Sequence, residues 1–146
     1  MKSKPVELEQ LNKFVGIWAT SGKIPASDTT PEIIISGTDN YEWLPGEYFL
    51  LHQADVFVGN DKNKTHEIIG FDDQKNLYTM QFYDNKGNSG FMTAKTYNGV
   101  WTFLGENLRF TGGFKNHNRE FSGIWEQTSD RVNWRHLMEI KLSRVT

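Results

Sequence analysis

Hydrophobic and polar positions alternate with a period of two over most of the chain, and short polar turns interrupt the alternation every ~8–14 residues, the spacing of an all-β barrel or sandwich. About ten strands are predicted on that pattern. They run from Phe14 to Gly22, Glu32 to Leu44, Glu47 to Val58, Thr65 to Asp72, Leu77 to Asp84, Ser89 to Tyr97, Val100 to Gly105, Leu108 to Lys115, Arg119 to Thr128 and Val132 to Ser143. Pro5 to Lys13 is the exception: Leu8, Leu11 and Phe14 recur three apart behind a proline suited to a first helical turn, so one short helix is expected there, as a plug or lid.

The connections decide how the strands pair. Asn98-Gly99 lies directly between Tyr97 and Val100 and supplies the positive φ angles of a two-residue hairpin. Asp72 to Asn76, Asp84 to Asn88, Asn116 to Asn118 and Ser129-Asp130 are too short for a parallel crossover, so the sheet is expected to be an antiparallel meander. Sequential antiparallel strands leave two open edges unless the sheet closes, which favours an up-and-down barrel over residues 1–146 as one domain. The longer segment Lys23 to Pro31 could fold as a flap over an open end, and Gly112-Gly113 inside a strand marks a bulge or sharp bend.

Composition narrows the chemistry. With no Cys among 146 residues there is no disulfide, thiolate nucleophile or Cys-ligated metal. A net charge of −2 offers no electrostatic reason to bind nucleic acid or an anionic membrane. No apolar run is long enough for a membrane span or a secretory signal, so a soluble protein in the cytoplasm of a bacterium-like cell is expected. The unusual feature is the supply of aromatics, five Trp, five Tyr and ten Phe among thirteen Gly, which favours strands over helices.

Gly16-Ile17-Trp18, just after the helix and opening the first strand, resembles the G-x-W start of lipocalins and other calycin barrels, in which the Trp packs at the closed end against a basic side chain from the last strand. Arg144 is the matching cation here. From Leu44 to Val145 the blocks Leu44-Pro45-Gly46, Leu50-Leu51-His52, Glu67-Ile68-Ile69-Gly70-Phe71-Asp72, Tyr83-Asp84 with Gly87, Trp101, Arg109-Phe110, Trp125-Glu126, Trp134 and Met138-Glu139 resemble a bacterial lipocalin-like family catalogued as a domain of unknown function. The resemblance implies a lipocalin-like barrel and no activity, since a fold alone supplies none.

Alternation on the last strand puts Val132, Trp134, His136, Met138, Ile140 and Leu142 on one face, so His136 is expected to point inward. An inward imidazole among Trp and Met would serve as an axial haem ligand, resembling the haem-binding barrels called nitrobindins, although their amino-terminal pattern is missing here; the bland alternative is a hydrogen-bonded core His. His52 lies mid-strand in a segment apolar on both faces, and its direction stays open at this level. Convergence of His52 and His136 with Glu126 or Glu67 would make an acid–base pair or a small metal site, but none of the four His falls at metal-ligand spacing, so no metal is expected. G-x-S-x-G, H-E-x-x-H and a phosphate-cradling glycine loop are all missing.

Tyr78, Met80 and Phe82 alternate on one strand, Trp101 and Phe103 on another, Phe121 and Trp125 on a third. The expectation is a cavity for a small apolar or aromatic ligand, with His52, Tyr78, Met80, Phe82, Trp101, Trp125, Trp134 and His136 as candidate contacts and His52, Tyr78 and His136 as orienting groups. An isomerase or cyclase using a pocket His or carboxylate is the alternative. Glu47 to Val58, apolar on both faces, could also bury its outer side in a homodimer.

Overall fold

A computed structural model describes residues 3–146. Ten antiparallel strands follow the amino-terminal helix: β1 (Gly16–Ile24), β2 (Ile33–Trp43), β3 (Leu50–Val58), β4 (Asp61–Asp72), β5 (Leu77–Asp84), β6 (Ser89–Tyr97), β7 (Val100–Leu104), β8 (Leu108–Lys115), β9 (Glu120–Gln127) and β10 (Arg135–Arg144). Each strand pairs with its neighbour in sequence, and β1 pairs with β10, so the sheet is a closed up-and-down barrel. Asn98 at φ 50° and Gly99 at φ 81° make the β6–β7 turn, as the Asn-Gly pair requires. The β3–β4 hairpin is tighter than the sequence pattern suggests: Gly59, at φ 64°, reverses the chain so that β4 starts at Asp61.

The helix, Val6–Phe14, is a 3-10 helix. Its repeat of three residues per turn stacks Leu8, Leu11 and Phe14 on one edge, and all three are buried. That edge plugs one end of the barrel. Phe14 packs edge-on against Trp101 (ring centroids 5.2 Å apart), Phe114 (4.8 Å) and Phe121 (4.9 Å). Three side chains from the barrel satisfy helix oxygens: the indole N–H of Trp18 donates to the Phe14 carbonyl at 2.8 Å, that of Trp43 to Asn12 Oδ1 at 2.8 Å, and the Tyr78 hydroxyl to the Glu7 carbonyl at 2.7 Å.

Trp18 is fully buried, and the Arg144 guanidinium lies 4.1 Å from its ring centroid, the pairing expected of the G-x-W opening. Arg144 also donates to the carbonyls of Val15 and Lys13, both at 2.6 Å, which ties the last strand to the end of the helix. The Lys23 to Pro31 segment connects β1 and β2 at the opposite end, so plug and loop are not alternative covers for one mouth.

Two local expectations need correction. The pairing of β8 with β7 and β9 runs without a register shift, so Gly112-Gly113 is not a bulge. Gly112 instead faces Gly123 across the ladder, and the Phe110 ring lies against both: an added Cβ would approach Phe110 Cζ to 2.7 Å at Gly112 and 2.6 Å at Gly123. The irregularity lies on β10, where His136 pairs with Glu126 and Met138 with Trp125, leaving Leu137 as an extra residue.

Candidate functional site

The register of β2, β3 and β4 builds the polar part of the interior. Tyr41 faces His52 across one ladder, and His52 faces Glu67 across the next. Asp39 sits two residues before Tyr41 on the same inward face. This settles the direction of β3: Leu50, His52, Ala54, Val56 and Val58 form its inner face, while Phe49, just ahead of the strand, and Phe57 are exposed.

His52 lies between two carboxylates. Its Nε2 is 2.5 Å from Asp39 Oδ1 and its Nδ1 is 2.9 Å from Glu67 Oε1. The Thr20 hydroxyl, from β1, donates to the other Asp39 oxygen. The Tyr41 ring stacks on the imidazole with centroids 4.0 Å apart and planes 4° from parallel. Asp39 and Glu67 are both buried, and the His52 side chain is only 15% exposed. Both ring nitrogens donate only when the ring is an imidazolium, and the arrangement favours that form. Burial pulls the His52 pKa down, but hydrogen bonds to Asp39 and Glu67, reinforced by their charges, raise it from 6.5 to about 9. The Tyr41 phenol is pushed well above its usual value, by burial first and then by the two carboxylates.

These groups line one side of a cavity of about 220 Å³. Its other wall is apolar, formed by Met80 and Met92 from β5 and β6, then Phe103, Phe110, Phe121, Trp125 and Met138 from β7 to β10. The aromatic wall is continuous: Phe103 and Phe110 stack at 4.8 Å, Phe110 and Phe121 at 5.5 Å, and Trp125 leans on Phe110 at 5.3 Å. Among the described residues, Asp39, Tyr41, His52 and Glu67 are the only ionisable side chains lining the cavity. Glu67 Oε2 hydrogen-bonds to no other described residue.

Of the residues singled out from the sequence, His52, Met80 and Trp125 line this cavity. Tyr78 and Trp101 belong to the plugged end, where their rings lie 5.1 Å apart and Tyr78 holds the helix. Phe82 stays off the cavity lining, with its ring against Gly90. Trp134 and His136 are corrections. The extra residue at Leu137 reverses the alternation, so His136 is exposed on the outer face beside Glu126, and Trp134 stacks under the Arg109 guanidinium at 4.2 Å. An axial haem ligand at His136 does not fit that placement, and both nitrogens of the one imidazole in the cavity are engaged by carboxylates. Asp39, Tyr41 and Thr20 escaped the sequence reading. The available signal was the period-two run Ile35, Gly37, Asp39, Tyr41 and Trp43, which places a carboxylate on an inward face.

Among the described residues, no group of three or more His, Cys, Asp or Glu side chains is placed to hold a metal ion. No helix is long and apolar enough to cross a membrane. No curated protein matches the chain. Among solved structures, the crystal structure of Rv2717c from M. tuberculosis is similar, with a TM-score of 0.68 over 99% of this chain and 100% of that one at 10% identity, a likeness of fold alone. The family model described as "Protein of unknown function (DUF1579)" matches residues 5–143, the helix and nearly the whole barrel, and the chain belongs to that family.

Proposed function

We propose that the barrel binds a small, largely apolar or aromatic molecule in its interior. The observation that carries this reading is the cavity of about 220 Å³ with an aromatic and thioether wall opposite a cluster of fixed polar groups. Apolar burial would drive binding and the cluster would set orientation. Trp125 is a built-in reporter. Titration with a neutral aromatic such as naphthalene or 2-phenylethanol should quench its fluorescence saturably, and Ala54→Trp, which fills the cavity, should abolish the effect. Equal responses from the two proteins, or none up to the solubility limit, would overturn the reading.

A second reading is acid–base catalysis, favoured by the unengaged Glu67 Oε2 beside an imidazolium. Glu67 would accept the α-proton of a bound ketone while His52 holds the carboxylate in place. Deuterium exchange at the α-carbon of 2-tetralone, followed by NMR, should accelerate with the native chain and not with Glu67→Gln; equal rates end this reading. For assembly, Phe49 and Phe57 leave an apolar patch on the outside of the β3 region that a second copy would cover, and light scattering reads the resulting mass directly.

A further inference from the structure

We propose that the cavity selects a cation: an aromatic or apolar body carrying one protonated amine, seated with its nitrogen on Glu67. This deepens the binding reading and rests on it. The charge count is the first argument. The cluster holds two carboxylates, Asp39 and Glu67, and one imidazolium, His52, and no other lining residue brings a charge of either sign. Counted as two carboxylates against one imidazolium, the cluster is one positive charge short, and a cation joining it would offset the cost of burying that excess. To the polar lining β1 contributes Thr20, β2 Asp39 and Tyr41, β3 His52 and β4 Glu67, while β5 to β10 contribute only apolar side chains among the described residues.

Hydrogen-bond geometry is the second argument, and it locates the charge. Asp39 is saturated, with one oxygen on His52 and the other taking the Thr20 hydroxyl. Glu67 spends Oε1 on His52, and its Oε2 has no partner among the described residues although the side chain is 93% buried (7% exposed). Glu67 lines the cavity, and an ammonium N–H is a donor that both hydrogen-bonds a carboxylate oxygen and balances its charge. Phe103, Phe110 and Trp125 line the opposite wall and supply an aromatic surface for the apolar body of the guest. The same count works against anions, so a carboxylate of equal size should be rejected.

The test uses three probes sharing one ring: 2-phenylethylamine, 2-phenylethanol and phenylacetate, each titrated calorimetrically into the native chain at pH 7. The amine should bind about tenfold or more tighter than the alcohol, the advantage of one charge-assisted hydrogen bond, and phenylacetate should give no saturable heat. Glu67→Gln should bring the amine's advantage over the alcohol below tenfold. An amine preference below tenfold, or phenylacetate as the tightest ligand, overturns the cation while leaving the cavity reading intact. Absence of binding by all three overturns both. A preference that survives in Glu67→Gln removes Glu67 as the anchor, and if that variant does not fold, the ranking on the native chain still decides.

Discussion

The plugged end and the cavity each pair a cation with aromatic rings, and the two pairs differ in what surrounds the cation. At the plugged end the Arg144 guanidinium lies on Trp18 and donates to the backbone carbonyls of Val15 and Lys13, with rings and helix filling the remaining space. Around the cavity, His52 stacks on Tyr41 but is held by two carboxylates, one more negative charge than it can balance, and the aromatic wall stands across a gap. A cation met by neutral carbonyls ends as structure. A cation met by surplus carboxylate leaves an electrostatic demand for a guest.

The largest expected effect falls on the plugged end. Trp18→Ala removes a fully buried indole and its bond to the Phe14 carbonyl, and should cost about 4–5 kcal/mol in urea unfolding. Any fold that survives should keep its preference among ligands; a changed preference would mean that the plug and the cavity are not independent. Next is His52→Leu, which strands Asp39 and Glu67 as buried charges and should cost about 3–4 kcal/mol, whereas the combination with Asp39→Asn and Glu67→Gln should recover most of that loss. Failure of the triple variant to recover would show that the cluster holds the fold by packing and not by charge.

The pH dependence follows in size. His52 has a raised folded-state pKa of about 9 against 6.5 unfolded, so its contribution is fully present below about pH 6.5 and is lost as pH climbs through 9. The loss is on the order of 3 kcal/mol, and a melting-temperature profile from pH 6 to 10 should show it for the native chain and not for His52→Gln. Arg144→Met should cost about 1–2 kcal/mol, the sum of a cation–π contact and carbonyl hydrogen bonds, a cost that stays constant over the same pH range. At the bottom of the scale, His136→Ala on the outer face should stay within about 0.5 kcal/mol and leave ligand titrations unchanged; a lost ligand response would put His136 back in the site.

Most of the barrel was legible because its information is local. Period-two alternation located all ten strands and Asn98-Gly99 a two-residue turn, while the resemblance to the G-x-W opening paired Trp18 with Arg144. The cluster was half visible. His52 and Glu67 were noticed, but their meeting depends on the β3–β4 register, which the Gly59 turn sets and which alternation cannot reveal in a strand apolar on both faces. Asp39 was hidden because a carboxylate in a polar-looking strand reads as solvated until its ladder partners are known. Trp134 and His136 were misplaced by a single residue, since face assignments propagate along a strand only until the first bulge.

That extra residue at Leu137 works as a parity switch. Everything on β10 after it keeps the alternation that sends Met138, Ile140 and Leu142 inside, and everything before it is exchanged between the two faces. Deleting one position would turn the exposed His136 imidazole toward the interior without altering the residue type. The inner chemistry of such a barrel is therefore editable by length as well as by composition, and two homologous chains with the same His and Trp in the same order can present entirely different interiors to a ligand.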